Sequence, residues 1–333
     1  MIKLYCMTLL IFSFLTSSVV FAVDFRLDPS KVRGPDACGE CHKETVKAWK
    51  ESHHSKTFKD MPRSDEAREI ADKMGIKRIK SESDCLTCHF TLAEEESVAK
   101  PIAGISCESC HGAGSDWIDV HSDFGGKDAK AENESVAHKI KRYADSEAAG
   151  MIRPSNLYAL AENCYGCHTV PNEKLVNVGG HTAGSNFELV RWSQGEVRHN
   201  VWYTDDNTEA SLERKRMLYI IGKMLDFEYA LRGVAKATEG AEYAKSMAKR
   251  AKKALAFLNK IDETVDDLSL TGIVQVGATA KLKLNNEAAL NAVADKVAGF
   301  AKQFGSEERG AALAGVDALL PSDDKYRGSV FNP

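Results

Sequence analysis

Eight of the chain's nine cysteines fall in four pairs, and a histidine follows each pair directly. The pairs are Cys38-Gly-Glu-Cys41-His42, Cys85-Leu-Thr-Cys88-His89, Cys107-Glu-Ser-Cys110-His111 and Cys164-Tyr-Gly-Cys167-His168. Two thiols three positions apart share one face of a helical turn. They can form thioethers to two vinyl groups on one edge of a porphyrin, and the next residue then reaches the iron. This is the spacing of c-type haem attachment. Short disulfides need no histidine after each pair, and zinc ribbons do not require four adjacent histidines. A thioredoxin-like motif would occur once, near a βαβ pattern that the sequence lacks. The expected cofactors are four covalently bound haem c groups, with iron ligated by His42, His89, His111 and His168.

The ninth cysteine, Cys6, lies in a leader. Lys3 precedes an apolar stretch from Leu4 to about Leu15, and Val20-Phe-Ala22 offers small residues before a cut. The pattern reads as a signal peptide cleaved after Ala22, which makes the chain periplasmic. The competing reading is an uncleaved anchor helix, the one route to a membrane. In an oxidising compartment eight thiols need bonding partners, which the haems supply.

The chain has 333 residues and a formal net charge of −4. Loss of residues 1–22 removes Lys3 and leaves 43 basic against 48 acidic residues, a net of −5. No basic field points to nucleic acid.

Six histidines lie outside the motifs: His53, His54, His121, His138, His181 and His199. They suffice for four bis-histidine irons. After the first motif a helix is expected, with Val46 and Trp49 on one face. His54 then lies about three turns past His42, roughly 18 Å along a straight helix. It should serve a neighbouring haem rather than its own. His121, ten residues after His111, follows the same logic.

The first and third stretches resemble the tetrahaem cytochrome c-554 family. Trp49 with His53 and His54 matches its Trp-x-x-small-x-His element, and Cys107-Glu-Ser-Cys110-His111-Gly112-Ala-Gly114 matches its third motif, with His121 ten positions on. The resemblance covers about residues 35–200. It implies crosswise ligation, with His54 on the third haem and His121 on the first. It further implies a distal histidine on a helix after the last motif, so 187–199 is expected as a helix that brings His199 to the fourth haem. In the family the second haem has no sixth protein ligand. Here His181, in a glycine-rich loop, either fills that position or lines it.

The expected fold is mainly α with long loops: a signal peptide at 1–22, a compact multihaem cytochrome c domain at 23–206, and a helical extension, hairpin or bundle, at 207–333. Pro29 and Pro35 are expected to break an extended segment at 23–37. With about 42 residues per haem, the haems must pack together and supply much of the buried apolar surface. Residues 212–232 show three- and four-residue apolar steps of a long helix, with a second helix at 242–260 after Gly240. Lys249-Arg250 and Lys252-Lys253 read as a solvated face. Alternation at 271–284 suggests a short strand or extended arm, and 286–304 and 308–319 read as further helices. This extension either packs on the haem domain or serves as an oligomer or docking contact.

The function expected is electron transfer between periplasmic redox proteins, since bis-histidine iron leaves no site for substrate. Propionates would make the surface more acidic and docking salt-sensitive. The resemblance implies a hydroxylamine-oxidising type of enzyme as partner. The rival reading is a reductase of a small nitrogen or sulfur oxide at an open second haem, for which Arg191 and Arg198 are candidate anion-orienting groups, although they read first as solvated surface residues. A third is a haem subunit of a larger complex.

Overall fold

The computed structural model describes residues 27–81, 83–126, 128–202 and 206–333. The expected signal peptide and its cleavage point lie outside the described residues. The chain is mainly helical. Its first part carries short helices: α1 (Pro35–Gly39), α2 (Lys43–Glu51), α3 (His53–Asp60), α4 (Asp65–Met74), α5 (Ser83–His89), α6 (Cys107–His111), α7 (Ile118–Ser122), α8 (Val136–Ala148), α9 (Leu157–His168), α10 (Glu173–Asn177) and α11 (Leu189–Ser193). Longer helices follow: α12 (Leu212–Lys236), α13 (Glu242–Asp262), α14 (Leu268–Gly277) and α15 (Glu287–Gly305). Among the described residues no helix is long and apolar enough to cross a membrane.

Local chemistry sets several boundaries differently from the sequence expectation. Pro29 and Pro35 start helical turns instead of breaking them, because a proline at a helix's first turn lacks only an N–H that would be unpaired anyway. The helix after the first motif stops at Ser52, whose backbone is extended and whose hydroxyl caps α3 through the Ser55 N–H. His54 therefore sits on a new helix, not on a straight continuation. The expected helix over 187–199 is only α11, capped by the Glu188 carboxylate, and His199 lies beyond it. The expected strand or arm near 271–284 begins as helix α14. Asp267 caps it by accepting from the Ser269 and Leu270 N–H groups, and Leu270 and Ile273 bury completely. Residues Gly310–Leu319 form a 3₁₀ run with a kink at Leu313, not an α-helix.

A two-stranded antiparallel hairpin, β1 (Thr91–Glu95) with β2 (Val98–Ala103), joins the second and third motifs. Glu96 and Ser97 both take left-handed backbone angles, as a tight primed turn requires. No Asn-Gly or Asp-Gly signal announces it. The hairpin carries Thr91 to the third motif, where its hydroxyl donates to the Gly104 carbonyl at 2.7 Å and accepts from the Ser106 N–H at 3.1 Å.

Most apolar packing lies around α12, which is buried on nearly every side from Arg216 to Ala235. Helices α13 and α15 flank it, and α9, bearing the fourth motif, packs on it as well. One continuous core runs from Leu157, Tyr165 and Val190 to Leu258, Leu290 and Phe304. The second cluster is small: Ala71, Ile79, Cys85, Leu86, Phe90 and Leu92. Residues 27–156 thus hold little apolar core of their own.

Because α9 and α12 share that core, the extension and the fourth motif should unfold together. Leu225→Ala, at a fully buried position of α12, is expected to cost about 3 kcal/mol. Denaturation followed by far-ultraviolet circular dichroism and by tryptophan fluorescence should give one coincident transition at lower denaturant.

Candidate metal centres

Each motif places its histidine where a helical turn ends or begins. His89, His111 and His168 are the last residues of α5, α6 and α9, and His42 precedes α2. Each faces one histidine from elsewhere in the chain. The ring centroids are 6.3 Å apart for His42 and His121, 6.4 Å for His89 and His181, 6.3 Å for His111 and His199, and 6.4 Å for His54 and His168.

These separations fit an iron between two imidazoles. Two metal–nitrogen bonds of about 2.0 Å, each extended by about 1.1 Å to its ring centre, put centroids about 6.2 Å apart. Aromatic pairs in direct edge contact also reach such distances, as Phe58 and Phe90 do at 6.2 Å; what points to a shared metal is that all four pairs are histidine with histidine and that each includes the histidine of one motif. Among the described residues no three of His, Cys, Asp or Glu gather as a ligand set for one metal ion. Two protein ligands per centre suit an iron whose other four donors come from a porphyrin.

Hydrogen bonds leave the right nitrogen exposed. The Nδ1–H donates to a backbone carbonyl in His111 (Ile152, 2.9 Å), His121 (Ile118), His181 (Thr182, 2.9 Å) and His199 (Val197, 2.7 Å). A carbonyl can only accept, so Nε2 of each ring keeps its lone pair for a metal. His168 Nδ1 lies 3.1 Å from the Ser185 hydroxyl, and Phe187 stacks on its ring at 4.5 Å. Burial favours the neutral, ligand-competent imidazole and lowers the pKa of His42, His54, His111 and His121; His89 falls to about 4, with His181 and His54 adding to the burial effect.

The remaining two histidines pair with carboxylates: His53 with Glu196 at 2.5 Å and His138 with Glu134 at 2.7 Å. His53 is 81 % exposed. Neither faces another histidine across such a gap.

The partners differ from the crosswise expectation. His121 faces His42 as expected, but His54 faces His168 rather than His111, and His199 faces His111 rather than His168. The break at Ser52 redirects α3 towards the fourth motif. Just before the third motif, the Ile105 N–H donates to the His54 carbonyl at 3.1 Å, and only a glycine fits at 104, because a Cβ there would lie 2.1 Å from that carbonyl. His199, freed from a helix, reaches α6 instead.

The centres lie in two neighbouring groups. His199 contributes to the lowering of His42, and the Cys38 and Cys107 thiols perturb each other's titration, so the first and third motifs are neighbours. His54 contributes to the lowering of His89, and one cavity of about 530 Å³ is lined by both the His89–His181 and the His54–His168 rings.

Polar residues brace the first and third centres. The Glu108 carboxylate, inside the third motif and 1 % exposed, accepts from the N–H groups of Arg33 (2.9 Å), Gly34 (2.8 Å) and Gly114 (2.7 Å). It fastens the segment before the first motif to the third. Gly112, at a left-handed φ of 86°, passes against the Gly150 carbonyl, where a side chain has no room. The Arg142 guanidinium grips Glu134 with two bonds of 2.7 and 2.6 Å and donates to the His121 carbonyl at 2.6 Å. Sequence reasoning missed this clamp, since a helix that buries an arginine runs against the ordinary amphipathic pattern.

Two buried groups next to these rings have no acceptor among the described residues: the Trp117 indole N–H and the Nε and Nη1 of Arg198. Arg198 is adjacent to His199, and its nearest carboxylate, Glu209, is 3.6 Å away. A porphyrin carboxylate would satisfy such donors. The other proposed anion-orienting residue, Arg191, is spent on the Lys325 carbonyl at 3.0 Å.

A family model described as "Cytochrome c554 and c-prime" matches residues 37–112. Cytochrome c-554 of Nitrosomonas europaea is 24% identical over 165 residues, which cover 46% of this chain. The chain spans 62% of that relative's length. No solved structure matches.

Titration of the Glu134 clamp is testable. Foremost Arg142, and then His138, hold its carboxyl down at about 2, against the opposing effect of burial. The folded pKa lies below the ordinary 4.5. The clamp's contribution is therefore full above about pH 4.5 and is lost as pH falls through about 2. In near-ultraviolet circular dichroism of Trp117, which sits on His121, wild type should show this acid step and Glu134→Gln should lack it. Taken together, the motifs, the paired rings and the sequence likeness show that a c-type, cytochrome c-554-like domain occupies part of this chain.

Proposed function

We propose that this chain is a periplasmic tetrahaem electron carrier with all four irons bis-histidine ligated. The observation that carries the proposal is the set of four histidine pairs at 6.3–6.4 Å. In this reading Cys38, Cys41, Cys85, Cys88, Cys107, Cys110, Cys164 and Cys167 form the thioethers. His42, His89, His111 and His168 are proximal ligands, and His121, His181, His199 and His54 are their respective distal partners. Bound haem would supply one-electron exchange between ferric and ferrous iron at low potential.

The chain's own residues fix the ligand rings, and they bring the His89–His181 and His54–His168 rings around one cavity. His181 is what separates a carrier from an enzyme. Its ring lies 6.4 Å from that of His89, and as a ligand it would take the position that a substrate would need. That disfavours reduction of a nitrogen or sulfur oxide at the second centre. Partners would be periplasmic redox proteins that deliver and accept electrons, with a hydroxylamine-oxidising type of enzyme as the candidate suggested by the c-554 likeness.

The test is direct. Protein matured in a host able to attach haem should carry four additions of about 616 Da each by mass spectrometry. Wild type should not bind carbon monoxide in the reduced state. His181→Ala should keep four haems, turn one of them high-spin and bind one equivalent of carbon monoxide. Absence of added mass, or carbon monoxide binding by wild type, would overturn the proposal.

A further inference from the structure

His199 lies on no helix, yet its ring centroid lies 6.3 Å from that of His111, the separation that the other pairs also show. The ring itself donates to the Val197 carbonyl at 2.7 Å, and one buried side chain ties down the backbone on either side of it. The Asn207 amide grips the residues on both sides of His199: Nδ2 donates to the Arg198 carbonyl at 3.1 Å, and Oδ1 accepts from the Asn200 N–H at 2.7 Å. The second Nδ2 hydrogen goes to the Phe331 carbonyl at 2.9 Å, so the donors and the acceptor of the amide are all in use. Asn207 is 1 % exposed and takes a left-handed φ of 50°, a conformation that costs a non-glycine residue free energy.

The segment that reaches Asn207 from the far side makes a second set of links. The Arg327 N–H donates to the Arg191 carbonyl at 2.9 Å, and the Glu196 N–H donates to the Arg327 carbonyl at 2.8 Å. Gly195 lies so close to Arg327 that a Cβ would fall 2.1 Å from its carbonyl. The Tyr326 hydroxyl binds Glu209 at 3.1 Å. Residues 326–331 thus run along 191–198 and end on Asn207. The same turn carries Trp202, whose ring lies 4.2 Å from that of His42.

We propose that Asn207, strapped by residues 326–331, is the positioning residue for the third axial pair. It acts through the backbone on either side of His199, not by contact with the metal. The proposal rests on the bis-histidine reading above. Part of the extension then holds in place a ligand loop that lies outside the 37–112 family match.

Asn207→Gly tests it cleanly, because glycine accepts the left-handed angle while the three amide bonds vanish. A deletion of residues 326–333 provides a second, independent release. His199→Ala supplies the reference spectrum of a third centre without its distal ligand. In the reduced holoprotein, Asn207→Gly and the deletion should each keep four haems by mass and bind up to one equivalent of carbon monoxide, with the His199→Ala spectrum. Added imidazole should restore the low-spin state, which a general loss of packing would not allow. Asn207→Gly or the deletion with four haems, all low-spin and inert to carbon monoxide, would overturn the proposal. Failure of wild type to carry haem would instead overturn the reading beneath it.

Discussion

The gap between facing imidazoles is the constraint on which the rest of this structure depends. All four pairs share a separation of 6.3–6.4 Å, which is the separation at which one metal ion bridges two imidazoles. Four such gaps take eight rings from distant parts of one chain, four of them with Nδ1 tied to a backbone carbonyl. The short helices, the glycines at 104 and 112 and the Glu108 and Glu134 clamps can be understood as means of meeting that demand. It also explains the distribution of apolar residues. Residues 27–156 contribute a cluster of only six buried apolar side chains, whereas the large core lies around α12. A porphyrin in each gap would supply the missing apolar mass.

Much of the chemistry was legible in the sequence because it is written locally. Cys-x-x-Cys-His needs five consecutive residues, and the α12 and α13 periodicities need about twenty each. The pairing of rings was not legible, because it depends on where the chain turns. One extended residue, Ser52, sends His54 to the fourth motif, and the early stop of α11 releases His199 to the third. The hairpin was missed for a different reason. Glu96-Ser97 adopts a turn that usually announces itself with glycine or asparagine, and the ladder around it enforces those angles. Helix α14 was misread because the Asp267 cap was overlooked beside an apolar run of ambiguous period.

The extension beyond residue 207 is more than ballast. Helix α12 forms one core with α9, so the fourth motif stands on it, and the 326–331 strap reaches back to the His199 loop. Arg142 and Asn207 show the same device at two sites. Each is a buried polar side chain that hydrogen-bonds the backbone at or beside a histidine of one of the facing pairs. Such second-tier contacts commonly decide whether a metal site holds its geometry.

Near-infrared magnetic circular dichroism of the fully oxidised protein tests the central claim most directly, because its charge-transfer band reports the axial ligand pair of ferric haem. The account predicts that all of the iron appears in the band of bis-imidazole coordination, with no other component. A resolved high-spin or histidine–methionine component would contradict it.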